Sequence, residues 1–97
     1  MKSIELVYMR GPFGDETSNY DLKFEKGTTV QDVIDFVLSR TREWGSIWIN
    51  RGKSRCKLEY KYGKVTSDNI PPNIKSRKIR SGFSNGGWSL MSYDLVI

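Results

Sequence analysis

Apolar and polar positions along this chain change their spacing twice, and the changes mark out its elements. Ile4, Leu6 and Tyr8 alternate with Glu5, Val7 and Met9, and Tyr20, Leu22 and Phe24 alternate with Asp21, Lys23 and Glu25. Alternation of this kind predicts strands. Between them, Arg10 to Ser18 contains Gly11-Pro12 and Gly14-Asp15, the punctuation of a turn, so the two strands are expected to pair as an antiparallel hairpin. The spacing then lengthens. Val30, Val33, Ile34, Val37 and Leu38 fall at i, i+3, i+4, i+7 and i+8, a single apolar stripe that predicts a helix over residues 29–40. Thr28 with Gln31, or Thr29 with Asp32, offers a capping pair for its first turn, where aspartates also suit the positive end of the helix.

Alternation returns after the helix. Ser46 to Arg51 predicts a short strand with Ile47 and Ile49 facing away from Trp48. Gly52-Lys53-Ser54 reads as a turn, and Leu58, Tyr60 and Tyr62 against Lys57, Glu59 and Lys61 give the next strand. From Trp88 to Ile97, Met91, Tyr93, Leu95 and Ile97 occupy one side while Leu90 and Val96 occupy the other. A strand apolar on both sides belongs in the interior of a sheet. No period holds from 66 to 87, so that stretch is expected to be a long irregular segment. Pro71-Pro72 is placed to start a helical turn, and Ile70, Ile74, Ile79 and Phe83 are placed to pin the segment to the body. Together these elements predict one α+β domain over residues 1–97, with a mixed sheet of four to five strands packed on the helix at 29–40.

Composition narrows the chemistry. The 97 residues include no histidine, which removes the commonest general base, metal ligand and pH switch. The one cysteine, Cys56, excludes an internal disulfide and a cysteine-cluster zinc site. Arg55 and Lys57 beside it are placed to lower its pKa and make it reactive; a small half-buried strand residue is the plainer expectation. No apolar run approaches the ~20 residues needed to span a bilayer, and Met1-Lys2-Ser3 leads straight into a strand pattern, so a cytoplasmic protein is expected. The net charge of +5 is unevenly spread. Residues 1–39 carry 4 basic and 7 acidic side chains, whereas residues 40–97 carry 12 basic and 4 acidic. The second part of the chain is therefore the part suited to an anionic partner.

The order strand, strand, helix, strand, strand, long connection, strand resembles the β-grasp fold of ubiquitin-like proteins. The residues that carry the resemblance are the hairpin before Lys26-Gly27, the helix opening Thr29-Val30-Gln31-Asp32-Val33, and the closing strand Tyr93-Asp94-Leu95-Val96-Ile97. Pairing order is not legible from one sequence, so ferredoxin-like and other α+β folds stay open. Ubiquitin-like modifiers and sulfur carriers end in a free Gly-Gly. This chain ends in Leu95-Val96-Ile97, and its Gly86-Gly87 precedes the last strand pattern, so conjugation and sulfur transfer are not expected. Iron–sulfur members need four cysteines. The resemblance therefore implies a protein-interaction module without catalytic activity, cofactor or metal.

Several local signals compete with plainer explanations. Gly52-Lys53-Ser54 resembles a phosphate-loop fragment, but Ile47 stands where such a loop needs glycine, and a strand rather than a helix follows. Arg51, Lys53, Arg55 and Lys57 form one basic group, and Lys75, Arg77, Lys78 and Arg80 form a second. Trp44, Trp48, Tyr60 and Tyr62 lie near the first, Phe83 and Trp88 near the second. Cations interleaved with aromatics suit phosphate contact plus base stacking; aromatics that fill a small core beneath a solvated charged surface are the plainer expectation. Phe36 falls on the polar side of the helix beside Asp32, Arg40 and Glu43, where it asks for a cover from the 66–87 segment or from a partner. Asp32 and Asp35 read as a solvated pair rather than an acid–base pair, and Gly11-Pro12-Phe13-Gly14 as a turn that can also serve as a contact point.

The first expectation is thus a non-catalytic, ubiquitin-like adaptor that binds a protein partner. The alternative is a nucleic-acid-binding protein that uses the 51–57 and 75–80 segments. The partner-contacting residues expected across the two are Phe36, Arg51, Lys53, Arg55, Lys75, Arg77, Lys78 and Arg80.

Overall fold

Backbone hydrogen bonding in the computed structural model, which describes residues 3–8, 20–40, 44–86 and 90–97, defines seven strands and two helices among those residues. They run β1 (Ile4–Tyr8), β2 (Tyr20–Phe24), α1 (Val30–Arg40), β3 (Trp44–Arg51), β4 (Ser54–Lys61), β5 (Lys64–Asp68), α2 (Pro72–Lys75), β6 (Ser81–Gly86) and β7 (Leu90–Val96). This is a small α+β domain. Five strands form a mixed sheet in the order β5-β4-β3-β7-β6, and β1 and β2 pair antiparallel as a separate two-stranded sheet. Within the larger sheet β3 and β7 run parallel and the other neighbours antiparallel.

Local chemistry explains where the elements begin and turn. Thr29 and Asp32 cap α1 reciprocally: the Thr29 amide donates to Asp32 Oδ2 at 2.9 Å and the Asp32 amide donates to Thr29 Oγ1 at 3.2 Å. Pro72 opens α2 at the position where a missing amide hydrogen costs nothing. The β3–β4 turn uses Gly52 at φ +56°. The β4–β5 turn places Tyr62 (φ +53°) and Gly63 (φ +77°) both in the left-handed region, which a tight two-residue hairpin connection requires.

The apolar stripe of α1 (Val30, Val33, Ile34 and Val37) shares one buried cluster with Ile47 and Ile49 of β3, Leu58 and Tyr60 of β4, and Tyr93 and Leu95 of β7. Leu22 from β2 and Ile70, Ile74 and Ile79 from the connection close that cluster. β2 lies alongside β6, at the edge of the sheet opposite β5.

Two expectations change. Residues 66–87 are not one irregular stretch: the end of β5, α2 and β6 lie within them. A second, four-residue helix joins α1, at the helical turn that Pro71-Pro72 is expected to start. The larger sheet recruits β5 and β6, while the opening hairpin stands as its own sheet. The physical reason is common to both. Edge strands and short helices bury little, so they leave no apolar period to read. Ile70, Ile74 and Ile79 do pin the segment to the core, whereas Phe83 stays 45% exposed. β7 occupies the interior position that its two-sided apolar pattern implies. The Gly11–Gly14 tip, Glu43 and Trp88 lie outside the described residues.

Candidate functional site

Alternation along β3 puts Ile47 and Ile49 into the core and turns Trp44, Ser46, Trp48 and Asn50 to the other face of the sheet, which α1 does not cover. Register carries that face sideways. Trp48 stands opposite Lys57 on β4 and Asp94 on β7, and Asp94 in turn stands opposite Phe83 on β6. Trp48 is half-buried beneath two cations: the Arg55 guanidinium lies 4.0 Å from its ring centroid and the Lys57 ammonium 5.0 Å. Arg55 is held there by Asp94 Oδ1 at 2.6 Å, which also accepts from Asn50 Nδ2 at 3.3 Å, and Lys57 pairs with Glu59 at 2.7 Å. Phe83, 45% exposed, lies one strand beyond Asp94 on the same face, and Trp44, 43% exposed, lies on that face four residues before Trp48 along β3. Tyr60, named with them from sequence, instead belongs to the core.

The two basic groups meet at one end of the sheet. The Arg80 amide donates to the Val96 carbonyl at 2.7 Å, and the Ile97 amide donates to the Asn50 carbonyl at 3.2 Å. Across the hairpin, Asn50 is opposite Arg55 and Arg51 is opposite Ser54. A single row therefore runs from Arg80 through the end of β7 and the end of β3 to the start of β4. Two strand spacings, about 10 Å, separate the backbones of Arg80 and Asn50. Arg77 and Lys78 continue the row toward the start of α1: the Arg77 carbonyl accepts from the Val30 amide, the Ile79 amide donates to Thr28, and Lys78 forms a bridge with Thr29. Arg51, Lys53, Arg55, Arg77, Lys78 and Arg80 are all exposed. Lys75 is nearby but bound to Asp68.

The acidic groups in this region are engaged. Burial opposes ionisation of Asp68, but hydrogen bonds from Lys75 and from the Ile70 amide, with the Lys75 charge, outweigh it and bring the carboxyl below its ordinary range. Asp94 is occupied by Arg55. Cys56 is half-buried, and burial, reinforced by the Asp68 charge, raises its pKa. The thiol therefore stays protonated at neutral pH, which removes the reactive-cysteine reading.

Phe36 does not join this assembly. It is half-buried at the rim of the core, with Arg40 5.4 Å from its ring centroid, and it sits about 9 Å of helix rise beyond Val30, away from the basic end. Asp35 accepts a hydrogen bond from Gln31, and Asp32 serves the cap, so the two carboxylates form no acid–base pair. A cleft of about 280 Å³ opens between the β3–β4 turn and the start of α2, with Arg51 and Ser54 on one wall and Asn69 and Asn73 on the other. This cleft and the Arg55–Asp94 pair were invisible in sequence because their residues lie far apart in the chain.

Among the described residues, no helix is long and apolar enough to cross a membrane, and no three histidine, cysteine or acidic side chains cluster as metal ligands. Compared with known protein families, with curated proteins and with solved structures, the chain matches none.

Proposed function

We propose that this protein is a non-catalytic binding module for single-stranded nucleic acid. The observation that carries the reading is the row of backbone contacts joining Arg80, Val96, Ile97, Asn50 and Arg55, which turns two distant basic segments into one cationic sheet end. An open sheet face extends from it, with exposed Phe83 close to the row and exposed Trp44 at the far end of β3, six residues from Asn50. Phosphates would contact Arg51, Lys53, Arg77, Lys78 and Arg80, and unpaired bases would stack on the exposed rings. A duplex keeps the faces of its bases stacked on one another, so the aromatic face favours a single strand. Trp48 already carries Arg55 on its ring, and its role is to hold that guanidinium in place.

The test is fluorescence anisotropy with labelled single- and double-stranded oligonucleotides across a salt series. The expected result is preference for the single strand and a logarithmic salt slope of about −0.7 for each phosphate contacted. The Lys75/Arg77/Lys78/Arg80 quadruple alanine variant should flatten that slope by about 2, because three of its four cations are free of carboxylate partners among the described residues. No binding at low salt, or a slope unchanged in the variant, overturns the proposal.

A protein partner is the second reading, favoured by one observation. β5 is an edge strand whose outer side is unpaired among the described residues, and the exposed Val65 sits on it. A strand added there would bind mainly through backbone hydrogen bonds and would survive high salt. The resemblance to ubiquitin-like β-grasp proteins belongs with this reading; it rests on element order and assigns no partner.

A further inference from the structure

We infer that the cleft between the β3–β4 turn and α2 is a site for a nucleoside phosphate monoester, either the phosphorylated end of a strand or a free nucleotide. The inference rests on the proposed nucleic-acid function for its biological source, and on the cleft alone for its chemistry. At about 280 Å³ the cleft lies at the small end of ligand sites, the scale of one nucleotide rather than of a longer ligand.

Its walls divide by chemistry. Arg51 is an exposed guanidinium with no carboxylate partner among the described residues, and the Ser54 hydroxyl stands opposite it across the hairpin. The planar fork of an arginine matches two phosphate oxygens at once, and a serine hydroxyl adds a neutral donor. On the other wall, Asn69 and Asn73 present side-chain amides, groups that both donate and accept, as the edge of a base or a sugar requires. Ile49, Pro71 and Ile74 supply the apolar part of the lining, the two isoleucines from the edge of the core.

The surrounding charge favours an anion. Arg51 supplies the uncompensated positive charge of the lining, because Arg55 is paired with Asp94, and Asp68 is held by Lys75 and the Ile70 amide. The Cys56 thiol on the same wall is neutral and repels nothing. A monoester carries a charge of about −1.5 to −2, against −1 for a phosphodiester within a strand, so an unpaired Arg51 discriminates an end from a middle.

The experiment is an amide NMR titration of the full chain at low salt with a nucleoside 5′-monophosphate, the same nucleoside without phosphate, and inorganic phosphate. The monophosphate should move the amides of Ser54, Arg55, Asn69 and Asn73, and move them at lower concentration than either comparison ligand. Arg51→Ala should weaken it by about tenfold, the loss expected of a charge-assisted contact, and Asn73→Ala should weaken it less. Equal shifts from inorganic phosphate, shifts confined to other residues, or no change in Arg51→Ala would overturn the site. A parallel comparison of 5′-phosphorylated with 5′-hydroxyl oligonucleotides separates the sources: tighter binding of the former identifies a strand end, and equal binding with the mononucleotide retained identifies the free nucleotide. Loss of all oligonucleotide binding with mononucleotide shifts intact would strike down the proposed function and leave the site standing. The opposite result would strike down the site alone.

Discussion

A methyl group at Gly82 would stand 2.7 Å from Cδ2 of Leu95 and 3.4 Å from Cε1 of Phe24. The first distance is far inside van der Waals contact, and Leu95 is fully buried, so its side chain has little room to retreat. Glycine at this position lets the hairpin sheet lie against the edge of the larger one. Gly82→Ala should therefore cost about 1–3 kcal/mol, as overpacking does, and lower the urea midpoint without changing the slope of the transition. An unchanged midpoint would mean that Leu95 and Phe24 repack freely. The role of Gly82 was illegible in sequence, where it is one of several glycines in a polar stretch. The α1 stripe was legible because each of its apolar residues faces one core, and the Thr29–Asp32 cap because both partners lie within one turn.

Elements separate along the same line. α1, β3, β4 and β7 bury a face each and announce themselves by period, whereas β5 exposes four of its five residues and carries none. What orders the stretch after β5 is polar: Asp68 accepts from both the Ile70 amide and Lys75, tying the end of β5 to α2. Because the folded environment depresses the Asp68 pKa, its contribution to stability is present in full above the unfolded carboxylate range. It is lost as pH falls through the lower, folded value. Asp68→Asn should accordingly unfold at lower urea than the parent chain at pH 7, and the two midpoints should converge as pH drops below about 4. A gap that persists in acid would assign the effect to packing. The same variant should loosen one wall of the cleft without touching the row from Arg80 to Arg55.

At the scale of the molecule, the charge imbalance between residues 1–39 and 40–97 becomes a spatial one. The sheet brings Arg51, Lys53 and Arg55 beside Arg77, Lys78 and Arg80, although more than twenty residues separate the groups in the chain. Pairing order made that possible, and pairing order is what a single sequence leaves open. The parallel pairing of β3 with β7 has a kinetic consequence. Asn50 and Leu95 meet across 45 positions of chain, so the central ladder closes only after a large loop has been drawn in and its entropy lost. The hairpins can form early and alone, but the core they share lacks Tyr93 and Leu95 until that closure. Stopped-flow refolding should thus be slow for a domain of this size, in milliseconds to seconds rather than microseconds. A chain shortened by residues 90–97 should show no cooperative unfolding transition at all. Until the last strand docks, β3 presents an unpaired edge on its β7 side. Dilute refolding should therefore recover more protein than concentrated refolding, since a second copy can take the place meant for β7.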